Sequence, residues 1–333
     1  VEGSISDGIR PEWSFFITWR NGMNIVFLET STLGADIDLT GFSALGHVTT
    51  YPASDPEQNK ARIMDADVVV LNKIPVDGSL LDGVDRVKLV CLTATGTNNV
   101  DFEYCEKRGI AVRNVKGYST WSVAQHTFAL LFYVYEKLSY YDDFVKSGRY
   151  CENPLFSHFE EPFHELLGKT WGIIGLGEIG RKVADIAKTF GCDVQYYSTS
   201  GRNDQPDYRR VTLRELLETS DIISIHAPLN SDTENLIDER AFALMKREAV
   251  LLNLGRGPIV NEQALADALN HNRIAGAGLD VLSVEPMRRD NPLFPIKDST
   301  KLIITPHIGW GTREARQRCV DAVLENIRAF FAD

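Results

Sequence analysis

The chain has 333 residues, 44% hydrophobic and 24% charged, which supports two cored domains and excludes a disordered or fibrous polymer. A formal net charge of −11 argues against nucleic acid or an anionic membrane surface as the main partner, while leaving room for a small anion beside a local Arg or Lys. No apolar run approaches the ~20 residues that span a bilayer. Five scattered cysteines (Cys91, Cys105, Cys151, Cys192, Cys319) without C-x-x-C spacing argue against a disulfide framework or a metal site, and fit a reducing cytoplasm.

Residues 1–22 carry no periodic pattern. Their apolar patch, Trp13 to Trp19, lacks a preceding basic region and a following cleavage site, so it reads as a leader or extension rather than a signal peptide. From Met23 onward short β-branched runs alternate with helical patterns. Strands are predicted at 25–28, 67–71, 89–92 and 111–113, with helices near 56–64 and 101–108 between them. A long helix is expected over 121–147, followed by an irregular segment, Tyr150–Glu165, rich in aromatics and acids. A second alternating series comes next, with strands at 170–174, 193–197, 222–225, 250–253, 276–279 and 302–304. Its helices fall near 179–190, 213–218, 239–245 and 262–269, and a last helix over 313–331 has no strand after it.

This alternation predicts an α/β protein with two doubly wound parallel-sheet domains and an interdomain cleft. The expected division is residues 23–120 with 308–333 as a substrate domain, made discontinuous by the returning last helix, and 121–307 as a cofactor domain.

Gly175, Gly177 and Gly180 form a G-x-G-x-x-G between a predicted strand and a predicted helix, the context that such a motif needs to be informative. Gly175 permits a tight turn, Gly177 lets backbone approach a pyrophosphate, and Gly180 allows close helix–sheet packing. The opening of the helix at Ile179-Gly180-Arg181, with Glu178 just before it, offers unpaired N–H groups to the phosphates. About twenty residues on, where an acid would bond a free ribose, the chain reads Ser198-Thr199-Ser200-Gly201-Arg202. Hydroxyls and an Arg suit a 2′-phosphate, so the cofactor is NAD or NADP with a lean to NADP; the alternative is a solvated turn with Arg202 pointing away.

Near the C-terminal ends of later predicted strands stand Arg256, Glu285 and His307. An imidazole exchanges protons near neutrality, a carboxylate on its second nitrogen stabilises the imidazolium, and a planar guanidinium clamps a carboxylate or carbonyl. Taken singly, each has a blander reading: His307 as a helix cap, Arg256 as a turn residue, Glu285 as a solvated acid. Their shared location at strand ends, where open parallel sheets bind ligands, favours chemistry.

Together Gly175–Gly180, His226-Ala227-Pro228-Leu229, Asn253–Gly257, Gly278–Pro286 and Thr305–Trp310 resemble the D-isomer-specific 2-hydroxyacid dehydrogenases in motif, order and spacing, from Met23 to the C-terminus. The glycerate dehydrogenase (hydroxypyruvate reductase) branch looks most similar, partly for Trp310 after His-Ile-Gly. Two positions depart from the family: Gln125 replaces its usual Glu, and Ser198 its usual Asp. The resemblance implies hydride transfer between NAD(P) and a small (R)-2-hydroxy or 2-keto acid, with His307, Glu285 and Arg256 catalytic. It further implies cofactor contacts from His226, Ala227, Pro228, Leu254, Gly255 and Gly309. Asp280 either bonds the nicotinamide carboxamide, as the family suggests, or caps a turn. The loop of Thr95 and Gly96 would hold the substrate carboxylate, with Arg256 and Trp310 at the same substrate; Asn72 and Lys73 either join them or form a structural turn.

His126 is expected to pack or bond within the long helix rather than react. The aromatic-rich stretch Thr127–Glu165 exceeds a monomer's needs and, with the resemblance, implies a homodimer through the cofactor domain. A reading of another class is a dinucleotide-sensing module like the C-terminal-binding-protein corepressors, which resemble the family and keep its Arg, Glu and His.

Overall fold

Every strand pairing among the described residues is parallel. A computed structural model describes residues 22–202 and 204–332, so the predicted extension at 1–22 lies outside the described residues except for Gly22. The first sheet runs β2-β1-β3-β4-β5, with β1 at Met23–Phe27, β2 at Gly46–Thr50, β3 at Val68–Leu71, β4 at Leu89–Leu92 and β5 at Ala111–Arg113. This is the 2-1-3-4-5 order of flavodoxin-like sheets. Strands β3 and β4 are buried along their whole length, as a sheet covered on both faces requires.

The second sheet has seven strands in the order β12-β11-β10-β9-β6-β7-β8. They are β6 (Thr170–Ile174), β7 (Asp193–Tyr197), β8 (Arg209–Arg210), β9 (Ile222–Ile225), β10 (Val250–Asn253), β11 (Gly276–Leu279) and β12 (Leu302–Ile304). Read from β8, this is the 3-2-1-4-5-6 dinucleotide-binding order with one more parallel strand. Two apolar layers cover its faces, one around Leu251, Leu265 and Ile259, the other around Trp171, Leu131 and Val183. The helices that carry or brace candidate site residues are α1 (Thr120–Tyr135), α2 (Glu178–Thr189) and α3 (Arg313–Ala332).

The predicted strands all form, and two more appear. β2, on a sheet edge, has no fully buried residue and Val48 as its one aliphatic residue, and β8 is two arginines; neither carries the apolar run that marks a strand. The helix expected over 121–147 is two helices, α1 and a second at Leu138–Lys146. Between them Lys137 adopts φ 56°, a left-handed backbone that breaks the helical path, and its ammonium donates to the carbonyl of Thr300 at 2.9 Å.

The chain divides into two compact units, residues up to 116 with 317–333, and residues 117–316. In the first, the returning α3 is tied down by Gln317, which accepts from the N–H of Asp38 at 2.9 Å, and by Asn326, which donates to the carbonyl of Asn114 at 3.2 Å. Residues 308–316 go with the second unit, where Ser122 of α1 donates to the Gly309 carbonyl at 2.6 Å.

Candidate active site

In a parallel sheet all strands end at one edge, so the segments after β6, β7, β9, β10, β11 and β12 meet there without any further device. Gly175 follows β6, Ser198 follows β7, His226 follows β9, Leu254 to Arg256 follow β10, Asp280 follows β11 and Thr305 to His307 follow β12. The strand order reverses between β6 and β9, which places the Gly175 turn against the His226–Pro228 segment. A Cβ on Gly175 would sit 2.8 Å from the Ala227 Cα, and its φ of +91° is one that L side chains rarely adopt. Gly180 lies against the Gly175 carbonyl, where a Cβ would approach to 2.4 Å. Beside Gly177, by contrast, a Cβ would meet nothing within 4 Å, and no side chain caps the twelve-residue α2 that begins after it.

His226 adds a second mark of an incomplete site. Both of its ring nitrogens are buried without a hydrogen-bond partner among the described residues, and burial pushes the imidazole down to about 3. An open cradle at Gly177, an uncapped helix N-terminus and an orphaned ring at the switch point suit the diphosphate of a dinucleotide.

After β7, Ser198 is buried while Ser200 and Arg202 are exposed. A cation that the sequence alone did not bring forward joins them: Arg210 of β8 donates to the Gly201 carbonyl at 2.8 Å. Only the pairing of β8 with β7 reveals it, since Arg210 is eight residues beyond Arg202.

The central geometry is the pair His307 and Glu285. His307 Nδ1 lies 2.7 Å from Glu285 Oε2, and the other carboxylate oxygen, Oε1, accepts from the Leu282 N–H at 3.0 Å. The ring Nε2 of His307 has no partner among the described residues. The backbone of His307 is left-handed, with φ 55°, a strain of ~1–2 kcal/mol for a residue with a Cβ. Its N–H donates to the carbonyls of Asp280 and Thr305, both at 2.9 Å, which helps to hold that conformation.

Arg256 is brought to the same loops by a close backbone approach. A Cβ on Gly257 would lie 1.9 Å from the Leu282 carbonyl carbon, so the Arg256 turn rests directly on the segment leading to Glu285. Asn253 braces the turn, donating to the Arg256 carbonyl at 3.0 Å and accepting from the Gly255 N–H at 3.1 Å. The guanidinium itself donates to the Gly255 carbonyl at 2.8 Å.

Asp280 caps the turn that carries His307. Its Oδ1 accepts from Thr305 Oγ1 at 2.7 Å and the Ile308 N–H at 2.8 Å, and its Oδ2 accepts from the Gly309 N–H at 2.7 Å. Burial alone raises its pKa, but the bonds from His126, Thr305, Gly309 and Ile308 together leave it below the ordinary carboxylate range. His126 does not bond within its own helix as expected; its Nε2 lies 2.9 Å from Thr305 Oγ1 and 3.4 Å from Asp280 Oδ1. Trp310, partly buried, stands edge-on to Tyr118 with ring centroids 6.4 Å apart.

The remaining candidates, Asn72, Lys73, Thr95 and Gly96, belong to the first unit. The N–H groups of Asn72, Lys73 and Ile74 converge on Glu29 Oε2 at 2.8, 2.9 and 3.3 Å, so this nest already holds a carboxylate of its own. Nothing in the sequence pointed to Glu29, which lies 43 residues before Asn72. On the loop after β4, Thr95 Oγ1 donates to the Val115 carbonyl at 2.8 Å, while the N–H groups of Thr95 and Gly96 have no acceptor among the described residues. The described residues contain no group of three or more His, Cys, Asp or Glu that could hold a metal ion, and no helix among them is long and apolar enough to cross a membrane.

An imidazole braced by a carboxylate, on the sheet edge that carries a dinucleotide turn, is the equipment of a nicotinamide-dependent oxidoreductase. Comparison with known proteins narrows that class. Residues 128–309 match the model of the D-isomer specific 2-hydroxyacid dehydrogenase NAD binding domain. The chain belongs to the D-isomer-specific 2-hydroxyacid dehydrogenase family, in its glycerate and hydroxypyruvate branch. It is 38% identical over 314 residues to a hydroxypyruvate reductase of Blautia hydrogenotrophica, across 92% of this chain and 97% of that protein. A glycerate dehydrogenase of Methylorubrum extorquens is 33% identical over 309 residues, across 92% of this chain and 96% of that one. A solved acyclic imino acid reductase in complex with NADPH and D-Arg aligns at a TM-score of 0.81 with 31% identity, covering 93% of this chain and 97% of the other.

Proposed function

We propose that this enzyme reduces a small 2-keto acid, hydroxypyruvate or glyoxylate, to the (R)-2-hydroxy acid with a preference for NADPH. The observation that carries the reading is the 2.7 Å contact of His307 Nδ1 with Glu285 Oε2, which leaves Nε2 as the nitrogen available to substrate. With Glu285 ionised, Nδ1 carries a proton permanently, so Nε2 bears a second one only in the imidazolium. That species donates to the keto oxygen as the carbonyl becomes an alcohol, and the neutral ring accepts the proton back in oxidation. Positioned proton transfer of this kind contributes roughly 10²–10⁴-fold. The bound nicotinamide supplies or receives the hydride.

Arg256 is proposed to clamp the substrate carboxylate or carbonyl with its planar fork, Thr95 and Gly96 to offer their N–H groups to the carboxylate, and Trp310 to line the side-chain pocket. The nest at Asn72 and Lys73 is the weaker candidate, because Glu29 already fills it. For the dinucleotide, Gly175, Gly177, Glu178, Ile179 and Gly180 would hold the pyrophosphate. His226, Ala227, Pro228, Leu254 and Gly255 would line the adjacent face, with Asp280 and Gly309 on the nicotinamide side. The NADPH preference rests on Arg202 and Arg210 near Ser198-Thr199-Ser200, where Ser198 stands at the position of the family's usual Asp.

We assign the cofactor to the unit of residues 117–316 and the substrate to the other unit, and the reducing cytoplasm as the setting, consistent with five free cysteines. A homodimer through the cofactor domain would cover the apolar arm on which Phe156 is 92% and Phe159 79% exposed; light scattering tests it. The function is tested by following NADPH and NADH oxidation with hydroxypyruvate, glyoxylate and pyruvate. Turnover of hydroxypyruvate or glyoxylate is expected. Tight nucleotide binding without turnover of any keto acid would contradict the reading.

A further inference from the structure

We infer that Ser122 and His126, one helical turn apart on α1, are positioning residues that set the catalytic imidazole through the turn that carries it. This rests on His307 as the proton carrier. Both side chains leave their own helix to grip residues 305–312. Ser122 Oγ donates to the Gly309 carbonyl at 2.6 Å and accepts from the Thr312 N–H at 3.4 Å. His126 Nε2 meets Thr305 Oγ1 at 2.9 Å. The Thr305 hydroxyl has one proton and gives it to Asp280 Oδ1 at 2.7 Å, so His126 is the donor to Thr305 and carries its proton on Nε2.

The turn is thereby held at three points around His307. Thr305, two residues before it, is fixed by His126 and Asp280. Ile308 and Gly309, just after it, are fixed by the Asp280 carboxylate, and the Gly309 carbonyl by Ser122. The residue in the middle is the one with a left-handed backbone, which persists only where its surroundings over-determine it. Neither Ser122 nor His126 touches His307 or Glu285 through any hydrogen bond, so each acts through the turn. Loss of the grip lets His307 drift from Glu285, and a displacement near 1 Å costs on the order of 10²-fold in rate.

The test compares wild type with Ser122→Ala, His126→Ala and the double variant, alongside the conservative Ser122→Thr and His126→Gln. Each full-length protein is assayed for kcat with hydroxypyruvate, for NADPH affinity by fluorescence, and for the hydrogen-bonded Nδ1–H signal of His307 by nuclear magnetic resonance. The expected result is a drop in kcat of about 10–100-fold in the double variant, with NADPH affinity within about twofold and the His307 Nδ1–H signal weakened as in Glu285→Gln. Ser122→Thr and His126→Gln should recover most of the loss. An unchanged His307 Nδ1–H signal in the alanine variants overturns the inference, as does a fall in kcat and NADPH affinity together with no recovery. If the double variant does not fold, the single variants carry the same comparison. The signal needs no turnover, so it stays informative even if His307→Ala proves fully active and the proposed function itself fails.

Discussion

Asp280 and Gly309 fit each other so closely that neither has an alternative. The Gly309 N–H donates to Asp280 Oδ2 at 2.7 Å, and a Cβ on Gly309 would stand 2.7 Å from that same oxygen and 3.4 Å from the His126 ring. The contact draws the segment after β12 onto the end of β11, which is how a residue with a strained backbone comes to face Glu285. Gly309→Ala should therefore push the carboxylate away and loosen the turn. We expect a stability loss of about 1–3 kcal/mol, typical of overpacking, with kcat falling more than NADPH affinity. Calorimetry and steady-state kinetics on the purified variant check both.

Asp280 also gives the protein an acid-side liability. Its carboxyl titrates lower in the folded than in the unfolded chain, so the stability it contributes is present above the unfolded value and is lost as pH falls through the folded one. Asp280→Asn removes this dependence and leaves the N–H groups of Ile308 and Gly309 with a neutral acceptor. Urea unfolding across the acid range should show a flatter pH profile for the variant, and a lower stability than wild type at neutral pH.

His226 destabilises the folded chain in acid by a different route. Its folded value of about 3 lies below the ordinary 6.5, so only the unfolded chain takes up the proton between these limits, and stability falls as pH drops from 6.5 toward 3. Replacing it by Leu should flatten that part of the profile in the nucleotide-free protein. If the orphaned ring nitrogens serve the dinucleotide, His226→Leu also weakens NADPH binding, readable by calorimetric titration.

The nucleotide preference depends on cations at two sequence-distant points. Arg202→Ala and Arg210→Ala should each lower kcat/KM for NADPH by about 10–100-fold with little effect on NADH, as expected for the loss of a charge-assisted bond of ~1.5–3 kcal/mol, and the double variant should reduce the NADPH/NADH ratio further. Ser198→Asp should shift the ratio in the same direction by repelling a 2′-phosphate.

Legibility in the sequence depends on what each feature leaves in the chain. Strands buried on both faces, such as Val68–Leu71 and Val250–Asn253, write themselves as apolar runs, and the C-terminal ends of such strands point directly to Gly175, Arg256 and His307. The edge strands Gly46–Thr50 and Arg209–Arg210 leave no such run. Arg210 could be found only once β8 was paired with β7. The break at Lys137 was hidden because helical periodicity continues across it, and a left-handed backbone at a lysine has no signature of its own. Contacts between remote segments, Glu29 with Asn72 or Ser122 with Gly309, depend on packing and carry no local pattern at all. The residues proposed to do chemistry were legible, as was Asp280 as a turn cap, while the grips of Ser122 and His126 on the same turn were not.

Proton transfer from His307 is the step on which the proposed activity depends, and replacing that one side chain by alanine tests it most directly. With hydroxypyruvate and NADPH, His307→Ala is expected to lower kcat by at least about 10²-fold while the dissociation constant for NADPH stays within about twofold of wild type. A variant that keeps kcat within a few-fold of wild type would show that the proton comes from elsewhere, and the mechanism proposed for this site would be wrong.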